Sequence, residues 1–231
     1  MLGKKDNNPE EFANNAITLS DMRKYNDALK NIDKAISLTP RNSEYHLIKA
    51  DILYRMENYE DTLKELNFSE SLGNKSANLY SLKSLCYGSM GDYEKSLEAA
   101  DQAISVDPDY VYAYYNRALA LKNMGKESEA VEAYKKTIEK NPSDADAHID
   151  LGNIYLENGD YKGALLEAKS ALKYAKKDYH AHDLKLEALL RLGDVKEYLN
   201  ALLAAYRDTG EQEYIGKMIE DLMILGGGES A

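Results

Sequence analysis

VYAYYNRALALKNMGKESEAVEAYKKTIEKNPSD, residues 111–144, decides the fold. Tyr114, Arg117, Ala118 and Leu121 fall at i, i+3, i+4 and i+7, the spacing of one helix face. Gly125 then supplies a residue that tolerates positive φ and can turn the chain out of a helix. Ala130, Tyr134, Thr137 and Ile138 repeat the spacing on a second helix, which Pro142 stops. Ser143 or Asp144 can cap the next helix. The stretch is therefore two antiparallel helices joined by a tight turn. Neither helix can bury its apolar face alone, so stacked neighbours must supply the core.

The same punctuation recurs outward from this stretch. Pro142 lies 34 residues after Pro108, and Pro108 lies 68 after Pro40. Cut at 34 residues, the chain gives six units without insertion: 9–42, 43–76, 77–110, 111–144, 145–178 and 179–212. Residues 1–8 precede them as an expected flexible segment. Residues 213–225, with Tyr214, Ile215, Met218, Ile219, Leu222 and Met223, form an amphipathic helix expected to cap the last unit. Gly226, Gly227 and Gly228 are expected to end that helix and to begin a mobile tail, 226–231.

Bulk properties remove several function classes. A formal charge of −11 over 231 residues, with no stripe of Lys and Arg, excludes a phosphate-binding surface and hence nucleic acid. Cys86 is the single cysteine, so no internal disulfide framework exists, which suits a reducing compartment. The first residues carry lysines without an apolar run behind them, unlike a signal peptide, and no apolar stretch is long enough to insert in a membrane. These features read as a cytoplasmic protein.

Unit by unit, the chain resembles the tetratricopeptide repeat family. That family has an aromatic at its fourth position, and this chain has Phe12, His46, Tyr80, Tyr114, His148 and His182. Small residues belong at the eighth, twentieth and twenty-seventh positions. The eighth holds Ala16, Ala50, Ser84, Ala118 and Gly152; the twentieth holds Ala28, Thr62, Ser96, Ala130 and Ala164. The twenty-seventh holds Ala35, Ser69, Ala103, Thr137, Ala171 and Ala205. Short side chains at these positions let paired helices approach closely. Tyr25, Tyr59, Tyr93 and Tyr161 open second helices. The resemblance implies an all-α fold: a right-handed superhelical solenoid of stacked antiparallel helix pairs, six repeats plus a C-terminal capping helix. It departs from the pattern at Arg23 and Glu57, which replace the turn glycine, so those turns need another conformation or carry strain. Gly73 and Asn74 replace a closing proline, and Leu186 and Tyr198 stand where small residues belong.

The resemblance also implies a concave groove lined by the second, fifth, ninth, twelfth and thirteenth positions of the first helices. Its centre is apolar and aromatic: Leu47, Leu85, Tyr112, Tyr115, Leu119 and Ile149, with Ser81 and Asn153 among them. Its flanks are acidic: Glu10, Asp21, Glu44 and Asp51 on one side, Asp146, Glu157, Asp183 and Glu187 on the other. Arg55, Lys122 and Arg191 oppose them. Exposed apolar patches rimmed by charge mark interaction sites, so a protein or peptide segment, apolar in the middle and basic at its ends, is the expected guest. The heat-shock carboxylate clamp known in some family members needs lysine at position five, and Ala13, Leu47, Ser81, Tyr115, Ile149 and Asp183 stand there instead.

Other chemistry is thin. His180 and His182 are two apart and diverge on a helix. His46, His148 and His182 occupy the packing position, and Cys86 reads as a buried thiol. Met22, Met56, Met90 and Met124 recur at first-helix ends, read as packing. No cofactor, metal or catalytic constellation is expected, and the chain reads as a non-catalytic adaptor. The alternative is a self-assembling scaffold that uses the terminal helix or the groove as a subunit interface.

Overall fold

The computed structural model describes residues 8–227. Among them the regular elements are all helices: α1 (Pro9–Asp21), α2 (Tyr25–Leu38), α3 (Ser43–Arg55), α4 (Tyr59–Ser71), α5 (Ala77–Ser89), α6 (Tyr93–Val106), α7 (Val111–Asn123), α8 (Glu127–Lys140), α9 (Ala145–Glu157), α10 (Tyr161–Tyr174), α11 (Tyr179–Leu192), α12 (Val195–Thr209) and α13 (Gln212–Gly227). This is the all-α helix-pair repeat fold expected from the period. Most of the expected N-terminal segment and glycine-rich tail lie outside the described residues. α13 nevertheless runs through Gly226 and Gly227, residues expected to stop it; glycine weakens a helix without forbidding it.

Each boundary has a local cause. Asn8 and Asn42 accept the backbone N–H of Glu10 and Glu44, both at 3.0 Å, which caps α1 and α3. Asp144, and not Ser143, caps α9 by accepting from Ala147 N–H at 3.0 Å. Asp92, Asp160 and Asp194 do the same for α6, α10 and α12. Within each helix pair the turn is left-handed, with φ of 73° at Gly125 and 76° at Gly159. Arg23 and Glu57 keep that turn, at φ 58° and 60°, so the strained alternative is the one adopted. A side chain there costs about 1–2 kcal/mol relative to an unstrained residue.

The helices gather into two compact units, one ending at Lys126 and the other starting at Glu127. The division falls inside the fourth repeat, after its turn glycine. In the first unit, Ala16, Ala28 and Ala35 are fully buried where α1 meets α2, together with Ile32. Serines replace alanine in the third repeat without leaving buried hydroxyls unpaired. Ser84 Oγ donates to Ser96 O at 2.8 Å, and Ser96 Oγ returns the bond to Ser84 O at 2.9 Å. In the second unit, Ala164, Ala168, Leu184 and Ala188 form the seam of α10 and α11. A Cβ on Gly152 would stand 2.5 Å from Leu184 Cδ2, so glycine permits this approach.

The position-four histidines are interior residues, as expected. His46 bonds Glu65 at 2.7 Å through Nδ1 and the Pro40 carbonyl at 3.0 Å through Nε2. His148 repeats the arrangement with Glu167 at 2.6 Å and Pro142 O at 3.2 Å. Burial of the His148 ring opposes its charge, but those two acceptors outweigh it and raise its pKa. Cys86 is buried, donates its S–H to Tyr59 O, and is pushed up by burial to about 11.

The methionine row departs from expectation. Met22, Met56 and Met90 are exposed, because each is the C-cap residue just past the last packed turn of its helix. At the other end of the chain, α13 docks on its own second unit. Tyr214 is buried with Leu186, Leu189, Tyr198 and Leu202, and Met218 packs alongside. The oversized Tyr198 reaches through this layer and donates to Asp221 of α13 at 2.7 Å. Ile219 and Leu222 point outward and stay exposed.

Candidate functional site

Successive first helices of the first unit present the same repeat positions side by side, and their shared face encloses a cleft of about 480 Å³. α1 contributes Ile17, Ser20 and Asp21; α3 contributes Glu44, Leu47, Ile48, Asp51, Ile52 and Arg55. Asn78, Ser81, Leu82 and Leu85 come from α5, and Tyr112 and Asn116 from α7, with Tyr110 just before it. Eight of the residues expected in the groove therefore meet here: Leu47, Ser81, Leu85 and Tyr112 from its centre, and Asp21, Glu44, Asp51 and Arg55 from its flank. Leu47 and Ser81 form the buried floor, whereas Tyr112 is 66% exposed and stands at the rim.

Polar contacts fix the lining. Asn116 donates both Nδ2 hydrogens to Ser81, at 2.8 Å to Oγ and 3.0 Å to O, which ties α7 to α5. Tyr110 donates its hydroxyl to Asn78 Oδ1 at 3.2 Å, and its ring lies 5.7 Å from that of Tyr112. Burial and the neighbouring Tyr112 raise the Tyr110 pKa, so the phenol stays neutral at physiological pH. Arg55 donates Nε to Asp51 at 2.8 Å and reaches Asp21 at 3.4 Å. Three carboxylates thus face the cleft with one guanidinium, which already bonds two of them.

A second recess of about 220 Å³ adjoins the first through Leu85 and Asn116, and Leu119 and Tyr54 line it. The linings of these two recesses include neither Tyr115 nor Lys122, which are half-buried on α7.

The second unit treats the same positions differently. Ile149 is as buried as Leu47 and Ser81 at the same position of the first unit, and it packs against Ala171 and Ala181. Asn153, Asp183 and Glu187 line a shallow recess of about 220 Å³ with Leu156, His180 and Leu184. Asp183 already accepts from Tyr214 Oη at 3.1 Å, and Glu187 from Arg191 Nε at 2.7 Å. Burial first, and then the nearby Asp144, Asp178 and Asp150, raise the pKa of Asp146 against the opposing influence of His180. Among the described residues, no group of three His, Cys, Asp or Glu is placed to hold a metal, and no helix is long and apolar enough to cross a membrane.

A tetratricopeptide repeat family model matches residues 14–66, 118–178 and 149–213, and a second model described as a TPR repeat matches 87–125. The chain belongs to the tetratricopeptide repeat family. No curated protein sequence matches this tetratricopeptide repeat chain. Among solved structures, it is similar to PilW, described as a widely conserved type IV pilus biogenesis factor. The identity there is 16%, the TM-score 0.78, and the match covers 91% of this chain and 98% of that one. PilF of Pseudomonas aeruginosa matches at 14% identity and a TM-score of 0.77, over 92% and 97%. YrrB, described as a TPR protein with an unusual peptide-binding site, matches at 19% identity and a TM-score of 0.58, over 78% and 93%. At such identities these likenesses show the fold alone.

The sequence pattern did not single out Ser20, Asn78, Tyr110 or Asn116 as contributors to the cleft. Ser20 and Asn78 occupy lining positions twelve and two, so the repeat register held that signal. Asn116 sits at position six, as do the lining residues Ile48 and Leu82, a position outside the expected set, and Tyr110 precedes its helix.

Proposed function

We propose that the chain is a non-catalytic adaptor that docks a partner segment in the cleft of its first unit. The segment is apolar in its middle and basic at its ends. Family membership supports the general role, since tetratricopeptide repeat proteins are generally protein-interaction scaffolds. The observation that carries the specific reading is the cleft itself: aliphatic walls, an exposed Tyr112, and three rim carboxylates against one committed arginine. Apolar burial supplies affinity, while the acidic rim acts on encounter rate and selectivity. That rim also opposes a chaperone carboxylate terminus, which requires cations the lining does not offer.

The test is selection from a displayed peptide library on the full chain, repeated with the Leu85→Ala, Tyr112→Ala double variant. Enrichment of apolar-plus-basic peptides that the variant loses is the expected result. Equal enrichment on both proteins would refute the assignment.

One observation favours the second reading, self-assembly. Leu203 of α12 and Ile219 and Leu222 of α13 are large apolar side chains left exposed on the last two helices. Light scattering across a concentration series separates the two, since a concentration-independent monomer rules out self-assembly.

A further inference from the structure

The cleft of the first unit has distinct ends. At the α1–α3 end stand Asp21, Asp51 and Ser20. Ser20 is 2% exposed, lines the cleft, and its Oγ has no hydrogen-bond partner among the described residues. An unpaired buried hydroxyl is destabilising, because it has lost its water without gaining a partner. At the α5–α7 end stand Leu85 and the exposed Tyr112. Asn116 has spent both N–H donors on Ser81, which leaves only its Oδ1 to offer, and Tyr110 has given its hydroxyl hydrogen to Asn78. The groups still able to bond a guest are therefore weighted towards acceptors, concentrated at one end. A matching guest brings donors to the α1–α3 end and apolar surface to the other.

We propose that this cleft reads a lysine side chain flanked by an aromatic or large aliphatic residue of the partner segment. The ammonium meets Ser20 Oγ and the carboxylates of Asp21 and Asp51, its stem lies along Ile17 and Ile48, and the flanking residue packs on Leu85 and Tyr112. This assignment rests on the peptide-docking reading above and gives it a direction and a residue. Lysine is favoured over arginine by its donor chemistry. An ammonium presents three donors from one point to three acceptors, whereas the planar guanidinium repeats what Arg55 already supplies to the same carboxylates.

The test uses a positional-scanning library of acetylated, amidated hexapeptides containing lysine, arginine and the uncharged isostere norleucine, read on the full chain. Lysine is expected to be preferred over norleucine by about tenfold, the scale of one charge-assisted hydrogen bond, with arginine between them. In the Asp21→Asn, Asp51→Asn double variant the gap between lysine and norleucine closes while the apolar preference remains. Ser20→Ala narrows the same gap, yet the free protein melts at the same or a higher temperature, because an unpaired hydroxyl has been removed. A purely structural serine would instead lower the melting temperature and leave the gap alone. Equal selection of lysine and norleucine with the apolar preference intact overturns the lysine assignment and leaves the docking cleft standing. Arginine ahead of lysine, or a lysine preference that survives in the double variant, overturns it as well. No selection at all sinks the docking reading itself.

Discussion

The first and second units carry the same repeat positions to opposite ends. In the first, positions five and nine of successive helices hold Leu47, Asp51, Ser81 and Leu85, and they bound a cleft of about 480 Å³. In the second, Ile149 at position five is buried as Leu47 and Ser81 are, but the carboxylates Asp183 and Glu187 are held by Tyr214 and Arg191. The difference lies in what each set of carboxylates is given. Asp21 and Asp51 share one arginine at a cleft mouth, whereas Asp183 serves to seat the terminal helix. A repeat register therefore names a surface without deciding its use. The neighbours of each residue decide that.

The largest expected effect breaks the second unit and spares the first. Tyr198 is buried beneath α13, so Tyr198→Ala should cost about 3–5 kcal/mol, as large buried aromatics do. Denaturant titration should show that loss, and amide exchange should show α13 unprotected. Affinity for a cleft-binding peptide should stay within about twofold, the noise expected for a distant site. A parallel loss of affinity would contradict the separation of roles.

Next comes the cleft itself. Leu85→Ala with Tyr112→Ala should weaken a library-selected peptide by about thirtyfold or more, the effect of removing a hot spot worth about 2 kcal/mol. The counterpart in the second unit, Asn153→Ala with Glu187→Ala, should change that affinity less than about twofold, since these side chains lie on the other unit. Calorimetric titration of both variants checks the pair.

The pH response sharpens the comparison within the second unit. His148 holds acceptors at both ring nitrogens, Glu167 and the Pro142 carbonyl, with the Asp144 carboxylate nearby, and its folded pKa is raised above the ordinary 6.5. A raised histidine contributes stability that is fully present below the unfolded pKa and is lost as pH rises through the folded one. Denaturant melts should thus show stability falling above neutrality, and His148→Gln should flatten that part of the profile. An unchanged slope in the variant would refute the assignment.

The smallest effect concerns turns. Arg23→Gly and Glu57→Gly should each stabilise the protein by about 1 kcal/mol, because both residues hold positive φ that glycine adopts without strain. Gly159→Arg, at the matching turn of the second unit, should cost about as much. Thermal melts distinguish the two directions.

Much of this molecule is legible in its sequence because the repeat imposes local rules. Pro142 and Gly125 mark boundaries by backbone chemistry, and the row of alanines at positions eight, twenty and twenty-seven marks where helices touch. Those signals act within a few residues, so a single chain displays them. The cleft was only partly legible. Leu47 and Tyr112 follow from register, but Ile149 shares the register and lines none of the three recesses described above. The left-handed turns at Arg23 and Glu57 show tertiary packing overriding local preference. Ser20 is the sharpest case: its register was readable, and its missing hydrogen-bond partner appears only once α1 and α3 are packed.

Amide hydrogen exchange on the full chain, with and without the hexapeptide selected by the library, separates the two units. Slowed exchange is expected in the first helices of the first unit, residues 44–55, 78–89 and 112–119, with none gained in 145–157 or 179–192. Protection confined to α9 and α11, or absent from the first unit at saturating peptide, would contradict it.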